Sequence, residues 1–298
     1  MDVFMKTAAF YLRALYLLAR KRVITPDVIR RDYDRLSGGY DGYFSRHMAK
    51  HSLAMVARLA IAPGNRMLDL ACGTGTITLE LAQRAQAGEV VAIDNSIGML
   101  ERAREKARSL QLNNITFIQG DLIDEIRKLP AAHFDIVTCG WAIAYVKPNV
   151  LLGEIRRVLK PGGIVGIIEN RRDTLLEVRN TSIKVAGQFP SKMQYLMDLH
   201  LRLPRSKKHL CAMFRKVKLT PMDAWEGCEW FSFADGQEAL HWVLHTGASA
   251  GFESMMAPEK QAECHRLFAA FIERDYAKDG RIAVAHRFVA GSARKDAK

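Results

Sequence analysis

No apolar run in this sequence is long enough to cross a bilayer. The most apolar stretch, residues 4–19, is interrupted by Lys6 and Arg13 and falls short of the roughly 20 apolar residues a spanning helix needs. No small-residue cleavage site follows it cleanly, so it does not read as a secretory signal. Cysteine is sparse: Cys72, Cys139, Cys211, Cys228 and Cys264 are scattered, and no two have C-x-x-C spacing. That excludes a zinc signature, and no metal is expected. An odd count without a signal argues for reduced thiols and a cytoplasmic protein. Internal repeats and low-complexity linkers are missing. Acidic residues are in deficit, 32 against 44 Lys and Arg, for a net charge of +12. Such an excess suits nucleic acid, an anionic membrane surface or an acidic substrate, and equally a merely basic solvated surface. With 298 residues, 49% of them hydrophobic, the chain can bury one large α/β domain with additions, or two small domains.

Residues 1–23 read as a helix. Lys6, Arg13 and Arg20 recur every seven residues and so lie on one narrow stripe, with Phe10, Leu12, Leu15, Tyr16, Leu17 and Leu18 over much of the rest. Two readings stay open: a lid or packing helix, against its own chain or a second copy in a homodimer, or peripheral contact with anionic lipid. Thr25-Pro26-Asp27 starts a short helix, and Ser37-Gly38-Gly39 breaks the chain. Strand and helix then alternate: strands over 66–71, 90–93, 115–119, 134–139 and 164–169, with helices over 76–86, 98–110 and 149–159. Five strands joined by helical crossovers imply a parallel sheet covered on both faces. After Asn170 the pattern loosens. Helices are expected over 175–203, 235–245 and 258–276, and strands over 216–233 and 281–290.

The chemistry-bearing motif lies at residues 67–81, MLDLACGTGTITLEL. An apolar strand ends, glycines follow and a helix begins, so backbone can approach a ligand and helix N–H groups face it. Dinucleotide enzymes use G-x-G-x-x-G at the same place. Here Thr78 stands at the third glycine, and Asp69 precedes the first. A carboxylate there repels a pyrophosphate and suits a cationic amino-acid ligand, the methionine end of a sulfonium methyl donor. Asp94 closes the second strand, where a carboxylate can accept both ribose hydroxyls. Asn95 and Met99 follow it, Met99 as an apolar wall for an adenine. Asp121 and Leu122 follow the third strand and can meet the adenine amino group and ring. Each acid alone reads equally well as a helix N-cap or a solvated loop residue. Three at successive strand ends point to one ligand across the sheet's carboxyl edge.

These residues resemble a known family. MLDLACGTGTITLELA, VVAIDNSIGMLERAREKA, NNITFIQGDL, HFDIVTCGWAI and EIRRVLKPGG are similar to stretches of the ubiquinone/menaquinone biosynthesis methyltransferases and the wider type 11 class I S-adenosylmethionine-dependent methyltransferases. The resemblance covers about a third of the chain. It implies a Rossmann-like α/β fold with a mostly parallel seven-stranded sheet and helices on both faces, an N-terminal helical segment and helical cap insertions. It also implies S-adenosyl-L-methionine as cofactor. By position, Asp69 would orient the loop and reach the methionine amino group through solvent. Gly73, Thr74 and Gly75 would line the methionine, Asp94 and Asn95 the ribose, Met99, Asp121 and Leu122 the adenine, and Cys139 the sulfonium side. Tyr40 would lie over the cofactor, with Tyr33-Asp34 competing with Tyr40-Asp41 for that place. The stretch GWAIAYVKPN and everything after Arg171 depart from the family's pattern, and there the acceptor is decided.

Methyl transfer from a sulfonium asks mainly for alignment, exclusion of water and, for some acceptors, loss of a proton. Tyr145, Glu169, His200 and His209 are the catalytic candidates; Trp141, Tyr145 and Arg171 are the substrate candidates. The aromatic and Met content of 189–242 suits a small hydrophobic, lipid-like acceptor methylated at oxygen or carbon, though packing also explains such residues. The basic run over 202–218 could track phosphate, but no Asn/Asp-Pro-Pro-Tyr follows the fourth strand, which disfavours a nucleic-acid (RNA) methyltransferase. A non-catalytic S-adenosylmethionine-binding protein and a nicotinamide oxidoreductase are the alternatives of another class. The expected organisation is a lid or amphipathic segment over 1–50, a cofactor core over 51–170, a cap over 171–215, and sheet completion with a helical insertion over 216–298.

Overall fold

The computed structural model describes residues 3–23, 25–196, 201–246 and 255–297. Eight strands form one sheet: β1 (Arg66–Leu70), β2 (Glu89–Asp94), β3 (Ile115–Gln119), β4 (Phe134–Gly140), β5 (Leu159–Asn170), β6 (Thr220–Phe233), β7 (Ala277–Lys278) and β8 (Arg281–Arg294). Their order is β3-β2-β1-β4-β5-β8-β6, with β7 paired to β8 off this path. The expected seven strands become eight because the two residues of β7 fold back onto the start of β8.

β1 pairs in parallel with β2 and β4, β2 with β3, and β4 with β5. β8 runs antiparallel to β5, Ile164 opposite Arg294 through Asn170 opposite Phe288. Strand order reverses between β1 and β4, and open α/β sheets bind ligands at the carboxyl ends beside such a reversal. Burial from Met67 to Leu70 leaves no solvent-exposed face over those residues of β1, as expected of a central parallel strand.

Local chemistry starts the crossover helices. α4 (Thr76–Arg84) follows Gly75, whose φ of +89° is left-handed and natural only for glycine. A Cβ on Gly75 would also lie 3.1 Å from the Ala103 Cβ. Ser96 caps α5 (Ile97–Ser109) by accepting the Met99 N–H, and Asp121 caps α6 (Leu122–Lys128) by accepting those of Ile123 and Asp124. α7 (Pro148–Val158) starts on proline and lays Leu151, Leu152, Ile155 and Val158 in the core.

The chain divides into two compact units that are not consecutive segments. One holds residues 33–172, 199–227 and 287–298, with the parallel strands and the carboxyl edge. The other holds residues 1–32, 173–198 and 228–286; two of the boundaries fall within β6 and β8 and another within the helix Pro26–Leu36. In this second unit α1 (Val3–Ala19), α8 (Leu176–Ala186), α10 (Gly236–His245) and α11 (Gln261–Tyr276) bury Leu17, Val185, Trp242, Val243, Phe268 and Ile272. The single helix expected over 175–203 ends at Ala186, where a turn at Gly187 and a short helical turn on Pro190 follow. Met197 lies outside the described residues.

Candidate functional site

The first unit gathers its chemistry where β1, β2, β4 and β5 end. Asp69 is 1% exposed. Its Oδ2 accepts the Thr78 hydroxyl at 2.6 Å and its Oδ1 the Thr138 hydroxyl at 2.8 Å. Asp69 thus ties β1 to α4 and β4 from beneath the glycine turn, with both oxygens engaged. Burial and the charge of Asp94 push its carboxyl up to about 6, against the pull of the two hydroxyls. Above it, Ala71 has φ +56° and Gly73 φ +54°. A left-handed alanine is strained and marks a turn held by its surroundings. Nothing lies within 4 Å of where a Cβ on Gly73 would stand, so the glycine leaves a cradle open there.

Asp94 Oδ2 accepts the Gly73 N–H at 2.7 Å and Oδ1 the Ser96 N–H at 2.9 Å. Burial raises its pKa, and backbone donors including the Asn95 N–H act against that rise. Asn95 is half-buried beside it, whereas Met99 is buried. The Asp121 N-cap uses Oδ1 alone; Oδ2 takes no hydrogen bond among the described residues. Leu122 is half-buried and packs against the core. Cys139 is fully buried in the core, with its thiol pushed up by burial, and has no surface from which to line a sulfonium.

The two Tyr-Asp pairs are tied to different loops. Asp41 Oδ1 accepts the Thr74 hydroxyl at 2.6 Å, and Oδ2 pairs with Lys106 Nζ at 2.5 Å. Lys106 also donates to the Thr74 carbonyl. Burial raises the Asp41 carboxyl, but bonds from Lys106, Thr74 and Ser45 outweigh it and hold it low. Asp34, on α2 (Pro26–Leu36), accepts the Ser96 hydroxyl at 2.5 Å and the Gly98 N–H at 3.3 Å. One pair is latched to the loop after β1, the other to the loop after β2. The Tyr33 and Tyr40 rings meet edge to face at 6.0 Å.

After β4, Trp141 takes φ +61°, and its Nε1 donates to Ser52 Oγ at 2.9 Å. Its ring meets Phe288 at 5.8 Å, and His51 lies 4.4 Å from the same ring. Tyr145 closes the next turn, hydroxyl to hydroxyl with Tyr33 at 2.6 Å. Glu169, at the end of β5, is 1% exposed and accepts the N–H groups of Asn170 and Ala144. Burial raises it to about 7. Arg171 is paired with Glu226 at 2.5 Å. His209 sits in the first turn of α9 (Lys207–Lys216), where its Nδ1 accepts the Arg205 N–H. Burial and then Arg205 and Arg172 lower its pKa. His200 lies outside the described residues.

The family description "Methyltransferase domain" matches residues 61–246. The chain belongs to this methyltransferase-domain family. The demethylmenaquinone methyltransferase of Symbiobacterium thermophilum is 38% identical over 143 residues, which are 45% of this chain and 56% of that protein. Its counterpart in a Geobacillus species is 33% identical over 153 residues, 51% and 63% of the two chains. The match thus spans little more than half the length of these relatives. Among solved structures, the YcgJ protein of Bacillus subtilis aligns with TM-score 0.53 and 21% identity over 83% of this chain and 99% of its own. A geranyl diphosphate C-methyltransferase of Streptomyces coelicolor aligns at 0.50 and 15% over 84% and 80%. These two likenesses are of fold.

In this methyltransferase-domain chain the residues present fit a nucleoside sulfonium at the carboxyl edge. Beyond its backbone N–H bonds the Asp94 carboxylate has lone pairs left that could accept from a ribose hydroxyl. Asp121 keeps Oδ2, and the Gly73 cradle is open. Thr78, Thr138 and Lys106 were missed as site residues, while Asp34 and Asp41 were read only as neighbours of the two tyrosines. Thr78 carried a signal, standing where a dinucleotide turn needs glycine. The repeated Tyr-Asp marked Asp34 and Asp41 as a pair but carried no signal for the loops they bind. Thr138 carried none, because an inward threonine in a strand is locally ordinary.

Proposed function

We propose that the chain transfers a methyl group from S-adenosylmethionine to a small hydrophobic acceptor, at oxygen or carbon. The observation that carries this reading is the convergence of Asp94 on the Gly73 N–H at the sheet's reversal point. The cofactor would supply an electrophilic methyl on a sulfonium. Asp94 would hold the ribose, Asp121 and Leu122 the adenine, and the 73–75 turn the methionine. Tyr40 would cover the cofactor, and Trp141 and Tyr145 would form the acceptor side. Catalysis here is alignment and water exclusion. The curated relatives' names support an acceptor of the demethylmenaquinone type. Calorimetry should show S-adenosylmethionine binding, and incubation with reduced demethylmenaquinone should yield S-adenosylhomocysteine and a product heavier by one methylene. Binding of NAD with no binding of S-adenosylmethionine overturns the reading. Cofactor binding without turnover on any acceptor in a metabolite extract leaves a binding protein.

A second reading concerns α1, which we propose lies on an anionic membrane surface. Phe10 and Leu17 are buried, while Tyr11, Leu12, Leu15, Tyr16 and Leu18 are all about half exposed or more, Leu12 reaching 69%. At about 100° per residue these five share an arc of roughly 160° opposite the buried seam. Arg20, Lys21 and Arg22 are exposed at its end, the pairing of apolar face and cations that suits an interfacial helix. No helix among the described residues is long and apolar enough to cross a membrane. The full chain should sediment with vesicles containing phosphatidylserine. Leu12→Glu with Leu15→Glu should lower the bound fraction at least about tenfold, given the cost of placing charge on a lipid-facing helix. Unchanged binding sinks the proposal, as does a concentration-dependent dimer that those substitutions abolish while vesicle binding is absent.

A further inference from the structure

Two tyrosine hydroxyls beside the carboxyl edge of the sheet bond to each other. Tyr33 and Tyr145 meet at 2.6 Å through their hydroxyl oxygens and edge to face at 6.0 Å between ring centres. Neither hydroxyl makes another hydrogen bond among the described residues. Both residues are half-buried. Two hydroxyls that share one hydrogen bond use one of their two protons, leaving one O–H donor and several lone pairs for a ligand. The pair is also held in place. Asp34, next to Tyr33, is anchored on Ser96, and the Tyr33 ring rests against Tyr40, whose neighbour Asp41 is anchored on Thr74. From the β4 side, the turn carrying Tyr145 is touched by Arg202, whose Nη1 lies 3.5 Å from the carbonyls of Ala144 and Tyr145.

The charged groups acting on the pair and its neighbour Tyr40 are the carboxyls of Glu169, Asp94 and Asp41. Burial first, then Tyr145 and Tyr40, and last Glu169 raise Tyr33 well above the ordinary phenol range, and burial pushes Tyr145 up to about 12. Both phenols therefore stay protonated at physiological pH. A neutral wall that can both donate and accept, among carboxylates, suits a neutral hydroxyl and disfavours an anionic one.

We propose that the Tyr33–Tyr145 hydroxyl pair is the specificity determinant for the acceptor, receiving one of its ring hydroxyls through one donated and one accepted hydrogen bond. Nothing in the family match assigns these two residues. The inference rests on the methyltransferase reading only for the word acceptor; the binding it describes is separable from transfer.

The test titrates the full chain, with and without S-adenosylhomocysteine, using naphthohydroquinone kept reduced with dithionite and, as its partner probe, the dimethyl ether that lacks both O–H groups. Wild type should bind the hydroquinone about tenfold tighter, the scale of one or two net neutral hydrogen bonds. In Tyr33→Phe and in Tyr145→Phe that preference should fall to about twofold or less, with ether and S-adenosylhomocysteine affinities unchanged. A preference that survives in both variants overturns the proposal, as does a parallel fall in ether affinity, which would mean a packing role. Tyr→Phe keeps the ring and its contacts; should neither variant fold, equal wild-type affinities for the two probes overturn the proposal and a tenfold difference upholds it. Failure of S-adenosylhomocysteine to bind wild type would instead sink the methyltransferase reading and leave the hydroxyl preference standing.

Discussion

Asp94→Ala should weaken S-adenosylmethionine binding by about 3 kcal/mol, roughly a hundredfold in Kd. The size follows from two losses at once. The carboxylate that would accept the ribose hydroxyls is gone, and charge-assisted bonds are the stronger kind. The Gly73 and Ser96 N–H groups that Asp94 now holds at 2.7 and 2.9 Å are also released, so the loop after β1 loses its fixed form before any ligand arrives. Asp94→Asn separates the two losses: its carbonyl oxygen can keep one backbone bond, and its affinity should fall between wild type and alanine. A pH dependence accompanies this. Burial raises the Asp94 pKa, and only the ionised form accepts from both ribose hydroxyls. Cofactor affinity should therefore fade on acidification at a higher pH than for an exposed carboxylate. Calorimetry across pH checks both statements, and wild-type affinity in Asp94→Ala would remove Asp94 from the ribose role.

Glu169 governs the second large effect, on stability. Its carboxyl is raised from 4.5 to about 7 because burial penalises the charge more than the backbone N–H bonds reward it. The folded state holds the proton more tightly than the unfolded chain between those values. Its contribution to stability is therefore complete below about pH 4.5 and lost as pH rises through about 7, a difference of about 3 kcal/mol. Asp69, raised from 3.8 to about 6, acts in the same direction over a lower window. Comparison with Glu169→Gln isolates Glu169. The amide cannot titrate, and it sets one N–H against backbone donors, a cost that does not vary with pH. Urea denaturation from pH 5 to 8.5 should show wild type losing about 3 kcal/mol relative to the variant. Parallel curves would mean that Glu169 is ionised throughout.

The β1-to-β5 core was legible because each element carried its own period and punctuation. Asp94 and the glycine turn were legible as well, since their role depends on position at a strand end. Asp121 showed the limit of such reading: N-cap and ligand-facing acid are the same residue in sequence, and in the structure it caps with one oxygen and keeps the other. Cys139 and Met99 were placed at the ligand by their positions in the motif, yet both side chains are buried, since which way a strand-end or first-turn residue points depends on packing around it. The helix expected over 175–203 overran because its apolar content masked the break at Gly187 and Pro190.

Residues 67–81 by themselves determined a strand, a glycine turn and a helix, and Asp94 and Asp121 joined Asp69 as acids at three strand ends, because those features follow from backbone geometry and local charge. Tertiary structure alone decided what the acids do. Asp69 lies under the turn with both oxygens on threonines, Asp41 and Asp34 clamp two loops from an upstream segment, and Tyr33 meets Tyr145 across 112 residues of chain. No sequence period encodes such contacts, because long-range hydrogen bonds form only once the apolar core has fixed which strand ends lie side by side.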